Sequence, residues 1–168
     1  DEVLPKTGSK LARRAPLRLL LCGDSISAGY NATKFTKAKP GCPPFGELVA
    51  LGLKDRYGSE VEFTNYAVSG WTSTAGLDDA QKKHIGREKP DLVMIAFGMN
   101  DVFERDAMKY QNNVKNLITT IRSDQPDAEF ILVSPMLGNK EWGMPMEQFA
   151  LYRDSLKELC GQGIVLAD

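Results

Sequence analysis

Leu17-Arg18-Leu19-Leu20-Leu21-Cys22-Gly23-Asp24-Ser25-Ile26-Ser27 is the stretch on which the reading of the whole chain turns. A short run this rich in Leu has the composition of a buried strand, and Gly23 ends it. Ser25 therefore stands where the chain leaves the C-terminal edge of a sheet. In open α/β sheets that edge is where ligands bind. A small hydroxyl between Asp24 and a turn-permitting stretch can serve as a nucleophile. It can equally be a helix N-cap, a place that Ser and Asp favour for ordinary hydrogen-bonding reasons.

Four further apolar, β-rich runs follow, at 61–67, 91–97, 129–134 and 163–167. Between them lie stretches with helical spacing. Pro44 to Tyr57 carries Phe45, Leu48, Val49, Leu51 and Leu53 before Gly58 stops it. Thr74 to Glu88 is charged, with a thin apolar stripe. Asp106 to Asp124 carries Met108, Val114, Leu117, Ile118 and Ile121. Met146 to Cys160 carries Phe149, Leu151, Tyr152, Leu156 and Leu159, with Gly161 placed as its C-cap. Strand alternating with helix requires crossover connections, which produce parallel sheets covered on both faces. The central runs are almost continuously apolar, as doubly buried strands are. The expectation is a three-layer α/β/α domain with a five-stranded parallel sheet over residues 16–168, behind an N-terminal extension of residues 1–15.

A chain of 168 residues suits one domain, burying roughly 70% of the surface of its unfolded form. A formal net charge of −1 gives no reason to expect nucleic acid or an anionic membrane as partner. No window approaches the roughly 18 apolar residues of a membrane span. The first ten residues are polar and turn-rich, without the features of a signal peptide, and settle neither a secreted nor a cytoplasmic location. Cys22, Cys42 and Cys160 make an odd count, which argues against a disulfide framework. One His and no paired Cys spacing argue against structural zinc. Oligomeric state is not legible.

Three strands run into a small or polar cluster: Gly23-Asp24-Ser25, then Asn65-Tyr66-Ala67-Val68-Ser69-Gly70-Trp71-Thr72, then Gly98-Met99-Asn100-Asp101. In a parallel sheet these ends share one edge. Acyl transfer needs such a convergence of a hydroxyl with donors aimed at a developing oxyanion. Gly70 can present a bare backbone amide and Asn100 a side-chain amide. The Ser25 amide would be a third donor. Taken singly, Gly70 reads as a positive-φ turn and Asn100 as a cap.

In these three blocks the chain resembles the SGNH (GDSL-type) hydrolase superfamily of esterases, lipases and carbohydrate deacetylases, and the strand–helix order matches along essentially its whole length. The resemblance implies a flavodoxin-like α/β/α fold. It implies Ser25 as nucleophile, an oxyanion hole of the Ser25 amide, the Gly70 amide and the Asn100 side chain, and supporting roles for Asp24 and Asp101. It implies hydrolysis without metal or organic cofactor. Ser27 stands where a G-x-S-x-G elbow needs its second Gly, which excludes the α/β-hydrolase pattern. No Gly-Lys-Ser/Thr follows the first strand, so a phosphate loop is unsupported.

The resemblance also leads one to expect a D-x-x-H block after the last strand, supplying the base for Ser25 and its orienting acid. The sequence reaches Asp168 without it. His84, the sole histidine, lies among lysines on a charged helix and reads as a solvated surface residue. Asp168 is not assigned a catalytic role. Two readings follow: residues 1–168 are part of an active parent, favoured because a terminal strand without a covering helix leaves a sheet face partly bare, or they form a catalytically silent domain. Either way these residues alone are expected to hydrolyse esters poorly.

Trp71, beside Gly70, either stacks on a sugar ring or walls a small acyl pocket, or else packs beneath its loop. Residues 30–37 and 136–145 are expected to border the pocket. With no long hydrophobic lid, the expected substrate is a small-acyl ester, such as an acetyl group on a carbohydrate. Arylesterase, thioesterase and lysophospholipase activities, or non-catalytic carbohydrate binding, are the rivals.

Overall fold

A computed structural model describes residues 3–30 and 32–168. Five parallel strands, β1 (Leu17–Gly23), β2 (Val61–Asn65), β3 (Leu92–Ala96), β4 (Glu129–Val133) and β5 (Ile164–Ala167), form one sheet in the order β2-β1-β3-β4-β5. This is the flavodoxin-like order, with its switch point between β1 and β3. The helices are α1 (Pro5–Ala12), α2 (Ser25–Ala28), α3 (Thr33–Thr36), α4 (Phe45–Tyr57), α5 (Ser73–Lys83), α6 (Ala107–Asp124) and α7 (Met146–Lys157).

Side-chain alternation along the strands separates two cores. Leu20, Cys22, Val93, Ile95, Phe130 and Leu132 face α5, α6 and α7. Leu19, Leu21, Leu92 and Met94 face α4, with Leu4 packed beside them. The α6 stripe Tyr110, Val114, Leu117, Ile118 and Ile121 is buried. At roughly 1.5–3 kcal/mol for each large apolar side chain buried, that stripe contributes more to holding α6 than helix propensity does. On the α4 side of β4 and β5, Ile131, Val133 and Val165 are only half buried and Ala167 is exposed. Among the described residues no helix is long and apolar enough to cross a membrane. Cys22, Cys42 and Cys160 are free thiols.

Three local expectations need correction. The stretch before β1, read as polar and turn-rich, contains α1, held from far along the chain. Buried Glu129 accepts the backbone N–H groups of Lys6 at 3.0 Å and Thr7 at 2.7 Å. Lys10 pairs with Asp91 at 2.6 Å and Lys6 with Asp127. Gly8 and Ser9 are poor helix formers, so local propensity hides a helix that tertiary contacts hold. The helix expected over 74–88 ends at Lys83; His84 turns left-handed at φ +50, and Ile85–Glu88 form a 3-10 turn. The break brings Gly86 so close to α6 that a Cβ there would lie 2.6 Å from the Ile121 carbonyl oxygen. Finally, Gly161 does not cap α7. That helix ends at Lys157 with Glu158 right-handed, and Gly161 bridges Ile164 through two 3.0 Å hydrogen bonds.

Candidate active site

Ser25 opens the four-residue helix α2 directly after β1. The capping task falls to its neighbour: Asp24 has extended backbone, and its carboxylate accepts the Ile26 N–H at 3.1 Å. The half-buried Ser25 hydroxyl has no hydrogen-bond partner among the described residues, which removes the N-cap reading of that side chain. Asn65 at the end of β2 steadies α2 by donating to the Ser27 carbonyl at 2.9 Å. Val68 N–H donates to the Gly23 carbonyl at 3.1 Å, tying the second block to the first.

Gly70 lies in a turn closed by the Trp71 N–H on the Val68 carbonyl at 3.2 Å. Its φ of +81 suits the third position of a type II turn, which a Cβ would strain. Its amide has no protein acceptor among the described residues, and a Cβ built on it would meet nothing within 4 Å. Asn100 follows β3 and is not a side-chain cap; its Nδ2 donates to the Trp71 carbonyl at 2.8 Å. That amide carries two hydrogens, so one remains unengaged. The Trp71 ring is half buried and packs against the core that holds Cys22 and Phe97.

Asp24 and Asp101 are both buried beneath these loops. Burial pushes the Asp24 carboxyl up from 3.8 to about 6; the Ile26 hydrogen bond opposes this and the charge of Asp101 adds to it. Burial likewise raises Asp101, against the two bonds it accepts from Ser73. Those bonds run from the Ser73 N–H at 2.8 Å and its hydroxyl at 2.5 Å, both to Oδ1. Ser73 and its further partner Asn113 carried no signal in the sequence, since their role exists only across elements. An apolar cavity of about 200 Å³ lies alongside, lined by residues that include Asp24, Ile26, Phe45, Ala96, Val133 and Met136. Of the two segments expected to border the site, 136–145 reaches this cavity through Met136, while Asn31 of 30–37 lies outside the described residues.

Two other ionisable residues stand apart. α5 starts at the active edge and runs away from it for 11 residues, so His84 at its far end is roughly 16 Å distant along the helix. Asp168, after β5, accepts the Ser134 hydroxyl at 3.1 Å. Its strand is three places from β1, about 14 Å at the usual spacing.

Residues 21–168 match the model of the GDSL-like lipase/acylhydrolase family. The chain belongs to that family. An arylesterase from Vibrio mimicus is 34% identical to this family member over 90 residues, which cover 54% of this chain and 40% of that protein. The chain thus spans less than half of that curated relative's length. Among solved structures, TesA superposes with a TM-score of 0.64 at 24% identity, covering 84% of this chain and 72% of that one. The lipase Lip_vut3 from a goat rumen metagenome gives 0.73 at 18%, with coverages of 90% and 80%. A two-domain esterase active on acetylated mannans gives 0.72 at 18%, with 96% and 40%. At such identities the structural matches establish the shared fold of this GDSL-like chain.

Proposed function

We propose that this chain is the nucleophile-bearing domain of a serine esterase, in which Ser25 attacks a small-acyl ester, an acetyl group on a carbohydrate, and forms an acyl-enzyme. The observation that carries this reading is the company Ser25 keeps. Among the described residues, an unengaged hydroxyl shares the switch-point edge with three N–H donors that no protein group claims: the Ser25 amide, the Gly70 amide and one hydrogen of Asn100 Nδ2. Donors left unpaired at such an edge match what a tetrahedral oxyanion requires. The arylesterase relative supports an ester substrate, and the likeness to an esterase active on acetylated mannans favours an acetyl group. Half-buried Trp71, next to Gly70, is the side chain this reading assigns to the alcohol half.

No base for Ser25 stands among the described residues, because His84 lies at the opposite end of α5. Residues 1–168 alone are expected to turn over p-nitrophenyl acetate slowly. That same absence favours, as a second reading, a carbohydrate-binding domain that keeps the cleft without the chemistry. The natural protein decides between them. Ser25→Ala should abolish its turnover, and Asn100→Ala should lower kcat by roughly 10²–10³. An acyl-chain series should favour acetyl over longer esters. Turnover that survives Ser25→Ala would refute the esterase reading.

A further inference from the structure

Gly70 and Asn100 arrive on loops after β2 and β3, strands that are not neighbours, since β1 runs between them. At about 4.8 Å for each strand spacing, their strands are roughly 10 Å apart. Two donors that must serve one oxygen atom therefore need a connection that the sheet does not provide.

We propose that Ser73 and Asn113 are positioning residues that clasp the Gly70 turn to the Asn100 loop, an inference that rests on reading Gly70 and Asn100 as oxyanion donors. The clasp is a directional chain. Asn113 Nδ2, on α6, donates to the hydroxyls of Ser73 and Thr74, each at 3.0 Å. With that lone pair filled, the Ser73 hydroxyl directs its proton to Asp101 Oδ1 at 2.5 Å, and the Ser73 N–H reaches the same oxygen at 2.8 Å. Asp101 is the residue after Asn100, and its own carbonyl accepts the Tyr152 hydroxyl at 2.8 Å. The Asn100 side chain closes the loop on the Trp71 carbonyl. The segment 70–74 and the pair Asn100-Asp101 are thus joined twice, and α6 fixes the joint from beneath. Ser73 and Asp101 are buried, so water competes poorly for these bonds.

The test uses Ser73→Ala and Asn113→Ala; the second lies inside a helix, where Ala is the best helix former, and so keeps the fold. In the 168-residue polypeptide, both variants should shift the NMR signals of the Gly70 backbone amide and the Asn100 side-chain amide and leave the Leu19 and Val93 amides in place. In the whole natural protein both should lower kcat on p-nitrophenyl acetate by roughly 10- to 100-fold with KM little changed, because small misplacements of reacting groups act on the chemical step. Gly70 and Asn100 signals that stay in place while the urea midpoint falls would reduce these residues to ordinary structural ones and overturn the proposal. Shifted signals with unchanged kcat would overturn it too. If turnover survives Ser25→Ala, the nucleophile reading fails, and the Gly70 and Asn100 signals alone then decide for or against the clasp.

Discussion

Asp24→Asn should stabilise the fold progressively as pH rises. Asp24 is 3% exposed, and burial lifts its carboxyl from 3.8 to about 6. The native state thus holds this proton more tightly than the unfolded chain does. Stability from Asp24 is complete below about pH 4 and is lost as pH climbs through about 6. The displacement corresponds to about 3 kcal/mol at full ionisation, which sets a ceiling on the effect. Asn keeps the oxygen that caps Ile26, being as good a helix cap as Asp. It gives up the second acceptor oxygen of the carboxylate, at a cost of about 1 kcal/mol that does not vary with pH. Urea unfolding of wild type and variant at pH 4 and pH 7.5 separates the two effects. The variant should be slightly the weaker at pH 4 and should gain up to about 3 kcal/mol on wild type by pH 7.5. A difference that is flat with pH, or that moves against the variant as pH rises, would refute the claim that burial dominates this carboxylate.

Two further substitutions probe particular contacts. Gly70→Ala adds a methyl with no atom within 4 Å, so its cost is the positive φ alone: about 1–2 kcal/mol, read as a fall of a few degrees in Tm, and an unchanged Tm would mean the turn is not held at φ +81. Glu129→Ala strands the Lys6 and Thr7 amides at roughly 1–3 kcal/mol each, and hydrogen exchange should show α1 opening ahead of the sheet; protection of α1 equal to that of wild type would contradict its anchoring by Glu129.

What the sequence could disclose follows from where each signal resides. The central strands were legible because β1 and β3 bury two faces and so write near-continuous apolar runs, as Leu92 to Ala96 does, whereas the edge strands β2 and β5 are half buried and were legible from their β-rich composition between helical stretches. The positions of Ser25, Gly70 and Asn100 at strand ends were legible because turn residues follow those runs directly. The roles within each end were not. Whether Ser25 or Asp24 caps α2 is set by one hydrogen bond, and whether Asn100 caps or reaches Trp71 depends on a loop arriving from another strand. α1 escaped for the same reason: its anchor, Glu129, is 122 residues away from Thr7. Gly161 and Gly163 sit two apart near a helix end, and only the bridge to Ile164 tells which of them turns.

The strand order itself suits the end of β1 to the nucleophile proposed for Ser25. At the switch point, the connections leaving β1 and β3 depart to opposite faces of the sheet, so a cleft opens between their ends. β2 on the other flank lets a second loop lean in, and Val68 does so by bonding to Gly23. β1 is thus the strand whose end is flanked by loops from both neighbours, and a hydroxyl there meets donors from two directions without any long excursion of the chain. The same order makes a base costly to deliver from the far side. A group entering after β5 has about 14 Å to cross, over the ends of β4 and β3. The 200 Å³ cavity lies along that line, lined by Val133 and Met136 after β4, Ala96 and Met99 by β3, and Asp24 and Ile26 after β1. The cavity thus brings apolar side chains that follow β4 beside the buried Asp24. Val133 also belongs to the face where Ile131 and Val165 are only half buried.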